Sequence, residues 1–178
     1  MGLTYIASVT ASASATVSFT TGIDATYNEY QFHFVNMHPA TDGTPLLFQV
    51  NAAGASGFNE TITSTIFSVY NNEADSAAAI TYQTSVDQAQ GTAYQYLSDS
   101  IGNDNDQSAS GILTLYAPSS TTYVKHFTSM LNGYYHGDFS IQEFGAGYIN
   151  TTAAIDEISF KFLSGNIDAG TIHMYGVG

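Results

Sequence analysis

The stretch Tyr123-Val124-Lys125-His126-Phe127-Thr128-Ser129-Met130 decides the fold class. Its residues divide by parity, with Tyr123, Lys125, Phe127 and Ser129 against Val124, His126, Thr128 and Met130. A β-strand turns successive side chains to opposite faces, so this pattern predicts a strand with one covered face. A core Phe127 places Lys125 on the same covered face. Its ammonium must then snorkel to water or meet a carboxylate.

The same period of two recurs on both sides. Upstream, Tyr30, Phe32 and Phe34 share a face, and Leu46, Phe48 and Val50 oppose Leu47, Gln49 and Asn51. Ile112, Thr114 and Tyr116 oppose Leu113 and Leu115. Downstream, Ile158, Phe160 and Phe162 alternate with Ser159 and Lys161, and Ile172 and Met174 with His173 and Tyr175. These β-branched and aromatic runs predict half-buried strands with Phe32, Phe34, Phe48, Ile112, Phe127, Phe160 and Phe162 in the core. Turn chemistry separates them at Asp42-Gly43-Thr44-Pro45, Pro118-Ser119-Ser120 and Ser164-Gly165-Asn166. Asn132-Gly133 reads as a two-residue hairpin turn. Only Glu73 to Ile80, with Ala77-Ala78-Ala79, suggests a short helical turn. The expectation is all-β: one domain over residues 1–178, an antiparallel two-sheet β-sandwich of jelly-roll type with about nine strands.

Composition narrows the function. The 178 residues hold 15 acidic and 2 basic side chains, a net charge of −13, with no Cys and no Trp. Lys125 and Lys161 cannot neutralise a phosphate backbone, which argues against nucleic acid. An anionic membrane surface repels such a chain, and no apolar run reaches the roughly 18 residues a membrane helix needs. Residues 1–18 lack the basic start and long apolar run of a signal peptide. Without Cys there is no thiol nucleophile, disulfide or thiolate zinc site.

The chemical motifs are sparse. No G-x-S-x-G elbow and no H-E-x-x-H occurs. Asp156 and Glu157 are adjacent, so on a strand they cannot flank one glycosidic bond. The reading is therefore non-enzymatic and without a cofactor. His38 precedes Pro39 at a turn, and its ring is expected to bond a loop backbone group. The acidic loop Gly102-Asn103-Asp104-Asn105-Asp106-Gln107 offers Asp104 and Asp106 as oxygen donors for calcium. An EF-hand reading fails, because the sixth and twelfth positions counted from Asp104 are Ala109 and Leu115. The plainer expectation is a turn held by side chains bonding the backbone. Tyr134, Tyr135 and His136 form the densest aromatic cluster in a chain with 13 Tyr, and are candidates for glycan stacking or subunit contact.

A family resemblance covers nearly the whole chain. It is carried in order by Phe19-Thr20-Thr21-Gly22-Ile23-Asp24, Asn36-Met37-His38-Pro39-Ala40-Thr41-Asp42, Ile101-Gly102-Asn103-Asp104-Asn105 and Pro118-Ser119-Ser120-Thr121-Thr122-Tyr123. The closing strand around Gly170-Thr171-Ile172 and Met174-Tyr175-Gly176-Val177 belongs to it as well. Together these segments resemble structural proteins of marine tailed bacteriophages, and the C-terminal modules of phage fibre proteins. The resemblance implies a virion part, assembled in the host cytoplasm and displayed on the particle surface. It implies a homo-oligomer, with a trimer expected, that decorates the capsid or forms an appendage. Its partners would be copies of itself and virion proteins such as the major capsid protein or tail components. The alternative is a tail-fibre module that recognises host surface glycans. No ligand or catalytic residue is transferred with it.

Overall fold

The computed structural model describes residues 2–178, all as strands, turns and loops, with no helix among the described residues. Thirteen strands form two antiparallel sheets. They are β1 (Leu3–Ser14), β2 (Val17–Phe19), β3 (Glu29–Pro39), β4 (Leu46–Ala52), β5 (Ile62–Asn72), β6 (Ala78–Tyr82) and β7 (Ala89–Gly91). They continue as β8 (Gln95–Tyr96), β9 (Ala109–Tyr116), β10 (Lys125–Tyr135), β11 (Phe139–Ile149), β12 (Ile155–Phe162) and β13 (Ile167–Val177).

The pairing is that of a jelly roll. Strand β1 pairs with β13, β2 with β12, β3 with β9 and β4 with β8. First meets last and each inner pair nests within it, as when one long hairpin is rolled into two sheets. The first sheet then grows beyond β9 in the order β10-β11-β5-β6, with β7 beside β5. This wing comes from two insertions, β5 to β7 and the β10–β11 hairpin. The second sheet keeps its four strands, β2-β12-β4-β8.

The expectation of about nine strands is corrected to thirteen. The extra ones are mostly short: β2, β7 and β8 span two or three residues, too few to show a period. The core lies between the sheets, where Phe160 meets Phe32 and Phe34 at ring distances of 5.5 and 5.1 Å. Phe48 meets Phe127 edge to face at 5.0 Å. Six of the seven expected core residues are buried; Ile112 is not among them. It lies on the outer face of β9, while Leu113 and Leu115 face inward. Both faces of that strand carry apolar residues, so parity could not choose between them.

Two turn expectations also change. Asn132 and Gly133 lie inside β10, and the hairpin closes at His136-Gly137-Asp138. There Asp138 takes a positive φ of 62°, and its N–H donates to the Tyr135 carbonyl at 3.1 Å. Residues Glu73 to Ala77 form a turn rather than a helix. The Asn72 side-chain oxygen accepts from the N–H groups of Ser76 and Ala77, each at 2.9 Å, and so holds the chain in a turn before β6.

Strand β10 alternates as its parity predicts. Lys125, Phe127, Ser129 and Leu131 are buried, and His126, Thr128 and Met130 are exposed. The Lys125 ammonium donates to the carbonyls of Tyr123 and Thr151 at 3.0 and 3.1 Å. Burial lowers its pKa, while the charge of Glu60 acts the other way.

Candidate functional site

Strand alternation separates the two tyrosines singled out from the sequence. At the end of β10, Tyr134 points to the outer face and Tyr135 to the inner one, so each joins a different cavity. The cluster Tyr134-Tyr135-His136 therefore does not converge on one ligand.

The outer cavity holds about 380 Å³. Its lining includes Glu73, Asp106, Asn132, Tyr134 and Ser140. The Tyr134 hydroxyl donates to Glu73 at 2.8 Å and approaches Asp138 at 3.3 Å. These carboxylates favour the protonated phenol and push its pKa up to about 12. Amides, hydroxyls and carboxylates around one aromatic ring are the groups that bond and stack a sugar.

Asp106 thus lines the same cavity as Tyr134, although the sequence placed them in unrelated candidate groups. Asp104 is exposed in the neighbouring turn. The Gln107 side chain organises that turn: its oxygen accepts from the Asp104 N–H at 3.1 Å, while the Gln107 N–H donates to the Asp104 carbonyl at 2.8 Å. His38 anchors the same loop by donating from Nδ1 to the Gln107 carbonyl at 2.7 Å, the backbone bond expected of it. Among the described residues, no group of three or more His, Cys, Asp or Glu gathers as metal ligands. His136 sits in the hairpin loop, its ring 4.3 Å from that of Tyr135 and against Gly43.

The inner cavity holds about 310 Å³ and is lined by Tyr70, Tyr135, Phe139, Ile141, Gln83 and Asp99. Phe139 meets Tyr70 and Tyr135 edge to face, each at 5.6 Å. Asp99 and Gln83 also line a smaller chamber of about 10 Å³ that reaches Glu143. Glu143 is 4% exposed, and its Oε1 has no hydrogen-bond partner. Burial and the charge of Asp99 push its carboxyl up to about 8. Sequence reasoning missed Glu143. The available signal was its parity with Ile141 and Ile149, which sets a carboxylate on the inner face of β11.

The rest of the nine-stranded sheet presents a broad outer face. Phe67 and Phe144 stack on it at 4.9 Å, and Met130 and Ile80 are exposed. A shallow depression of about 450 Å³ lies beside them, between Ile112, Thr128, Met130 and Phe144. His33 and His173 face each other across β3 and β13, with the His33 and Tyr175 rings 4.8 Å apart. Of the 15 acidic residues, the strands of this sheet carry only Glu29, Glu143 and Asp168. Glu143 points inward, and the other two lie at strand ends.

No family model, curated protein or solved structure matches this chain.

Proposed function

We propose that the protein is a non-enzymatic structural subunit of a bacteriophage virion surface, and that it assembles with copies of itself through the outer face of the nine-stranded sheet. The observation that carries this reading is the distribution of charge. A chain of net charge −13 carries few carboxylates within these strands, keeps Glu73, Asp106 and Asp138 at one end of the sheet, and leaves the middle of the face apolar and neutral. Two such chains repel everywhere else, so this face is where copies meet at least electrostatic cost.

Area supports the same occupant. Eight strands about 4.8 Å apart and up to about 11 residues long outline on the order of 1,000 Å². A stable interface buries about 800 Å² per partner. The resemblance to phage structural proteins supplies the virion setting and the trimer. The test is light scattering at micromolar concentration with the wild type, Met130→Asp and Phe144→Asp. An oligomer that the two variants break supports the reading, and a wild-type monomer overturns it. Binding of purified protein to emptied phage heads tests the virion setting.

The outer cavity around Tyr134 favours a second reading, a tail-fibre module that binds host glycans. Attachment to host cells that is lost in Tyr134→Ala, without attachment to heads, would select it.

A further inference from the structure

We propose that the inner cavity of the wing binds a primary ammonium group on an apolar stem, with the ammonium held in the small chamber by Glu143, Asp99 and Gln83 and the stem packed among Tyr70, Tyr135 and Phe139.

One buried polar atom in the wing, Glu143 Oε1, has no partner. Glu143 is buried on the inner face of β11, in register with Leu131 on one side and Ser68 on the other. The segment around Val86 and Leu97 covers it. A buried carboxyl with an unbonded oxygen is costly, and natural structures keep few of them. Glu143 lines a chamber of about 10 Å³, room for one water-sized group. An –NH₃⁺ head has that size, whereas a quaternary ammonium does not fit.

The donors and acceptors match in number. An ammonium has three N–H donors and no acceptor. Glu143 offers its unpartnered Oε1. Asp99 offers the carboxylate oxygen left over after Oδ1 accepts from the Ser100 N–H and hydroxyl at 2.7 and 3.1 Å. Gln83 donates its Nε2 to Ser68 Oγ at 2.6 Å, and its amide oxygen makes no hydrogen bond among the described residues. All three residues line the chamber.

The stem follows from the larger cavity. Asp99 and Gln83 belong to both spaces, so the chamber adjoins the 310 Å³ cavity. Three aromatic rings and Ile141 line that cavity. Such walls take up methylene groups and favour a nearby cation through their ring quadrupoles. The overall negative charge raises the local concentration of cations. A lysine side chain of a protein partner and a free alkylamine share this chemistry.

Binding also moves a proton. The titratable groups lining the chamber with Glu143 are Asp99 and Tyr96. With its carboxyl at about 8, Glu143 holds its proton at neutral pH. An incoming ammonium favours the carboxylate, so one proton per site passes to the buffer.

The experiment titrates the full chain with n-butylammonium, an acetylated and amidated lysine peptide, tetramethylammonium, n-butanol and sodium at pH 7. It reads thermal shift, tyrosine NMR signals and proton release in weak buffer. Saturable n-butylammonium binding with release of about one proton, weakened at least about tenfold in Glu143→Gln and in Asp99→Asn, supports the proposal. Tighter binding of the lysine peptide assigns the site to a protein partner, and binding of the free amine alone assigns it to a small molecule. Absence of n-butylammonium binding, equal binding of n-butanol, tetramethylammonium or sodium, or unchanged affinity in Glu143→Gln overturns it. The Asp99→Asn arm keeps the test decisive if Glu143→Gln repacks.

Discussion

The Cδ1 methyl of Ile101 occupies the space into which a Cβ on Gly133 would project. Ile101 is fully buried and bridges Thr44 to Tyr135, so it clamps the end of β10. Gly133 thus serves packing rather than a turn, and Asn132-Gly133 continues the strand. Gly133→Ala should cost roughly 1–3 kcal/mol by overpacking. Urea denaturation with unchanged m-value checks this. A neutral or stabilising effect would show that Ile101 yields without strain.

Phe160 should be the costliest single truncation in the sandwich. It is fully buried between Phe19, Phe32 and Phe34. Phe160→Ala should lose roughly 3–5 kcal/mol in denaturant titration. A loss under about 1 kcal/mol would place the ring outside a packed core.

The sandwich was legible because aromatic residues mark parity where one face alone is apolar. Phe32 and Phe34 alternate with Gln31 and His33, and only one face suits a core. Strand β9 defeated that rule, since Ile112 and Leu113 are equally apolar and the outer face of the nine-stranded sheet tolerates Ile112. The hairpin was misplaced because Asn-Gly has a strong local preference, and the contact with Ile101 outweighs it. The candidate site was legible only in part. Tyr134 and Asp106 were singled out, but their sharing of one cavity depends on pairing between β10 and its neighbours. Glu143 and Asp99 are distant in sequence, and no spacing rule joins residues brought together by the crossing of an insertion over a sheet.

Lys125 tests a buried cation held by backbone groups. Lys125→Met keeps the stem but leaves the carbonyls of Tyr123 and Thr151 without their ammonium. It should cost roughly 1–3 kcal/mol, the desolvation penalty of the abandoned acceptors. Lys125→Ala should cost more, since it adds a cavity. Chemical denaturation of both variants decides the order, and a Lys125→Met as stable as wild type would show that the bonds contribute nothing net.

Glu143 gives stability a pH dependence of known sign. Its carboxyl is raised from 4.5 to about 8 in the folded protein, first by burial and then by Asp99. The folded state therefore binds more protons than the unfolded one between these values. The contribution is full below about 4.5 and is lost as pH rises through 8. Glu143→Gln removes that slope. The variant should match wild type near about pH 5 and melt at least about 4 °C higher near about pH 9, since each tenfold difference in proton affinity between the folded and unfolded states is worth roughly 1.4 kcal/mol. Melting curves of both proteins at the two pH values check this. An equal difference at both would mean that Glu143 is already ionised in the fold.

Self-association through the outer sheet face should strengthen with salt. Each copy carries a net charge of −13, while Met130, Phe67 and Phe144 sit on a face with carboxylates only near its ends. Coulomb repulsion opposes assembly at low ionic strength, where the Debye length reaches about 30 Å at 0.01 M. At about 0.5 M it shrinks to about 4 Å by the same scaling, and burial of apolar area then acts nearly unopposed. Sedimentation velocity at the two salt concentrations should show the oligomer gaining at high salt. Phe144→Asp should stay monomeric at both, because it sets a carboxylate at the centre of the contact. Attachment to the particle should respond to salt in the same way: protein held by apolar and backbone groups stays on virions washed in concentrated sodium chloride. Release at high salt with full retention at low salt would mean that a basic partner surface pairs with the acidic loops instead, and that the neutral sheet face is not what binds.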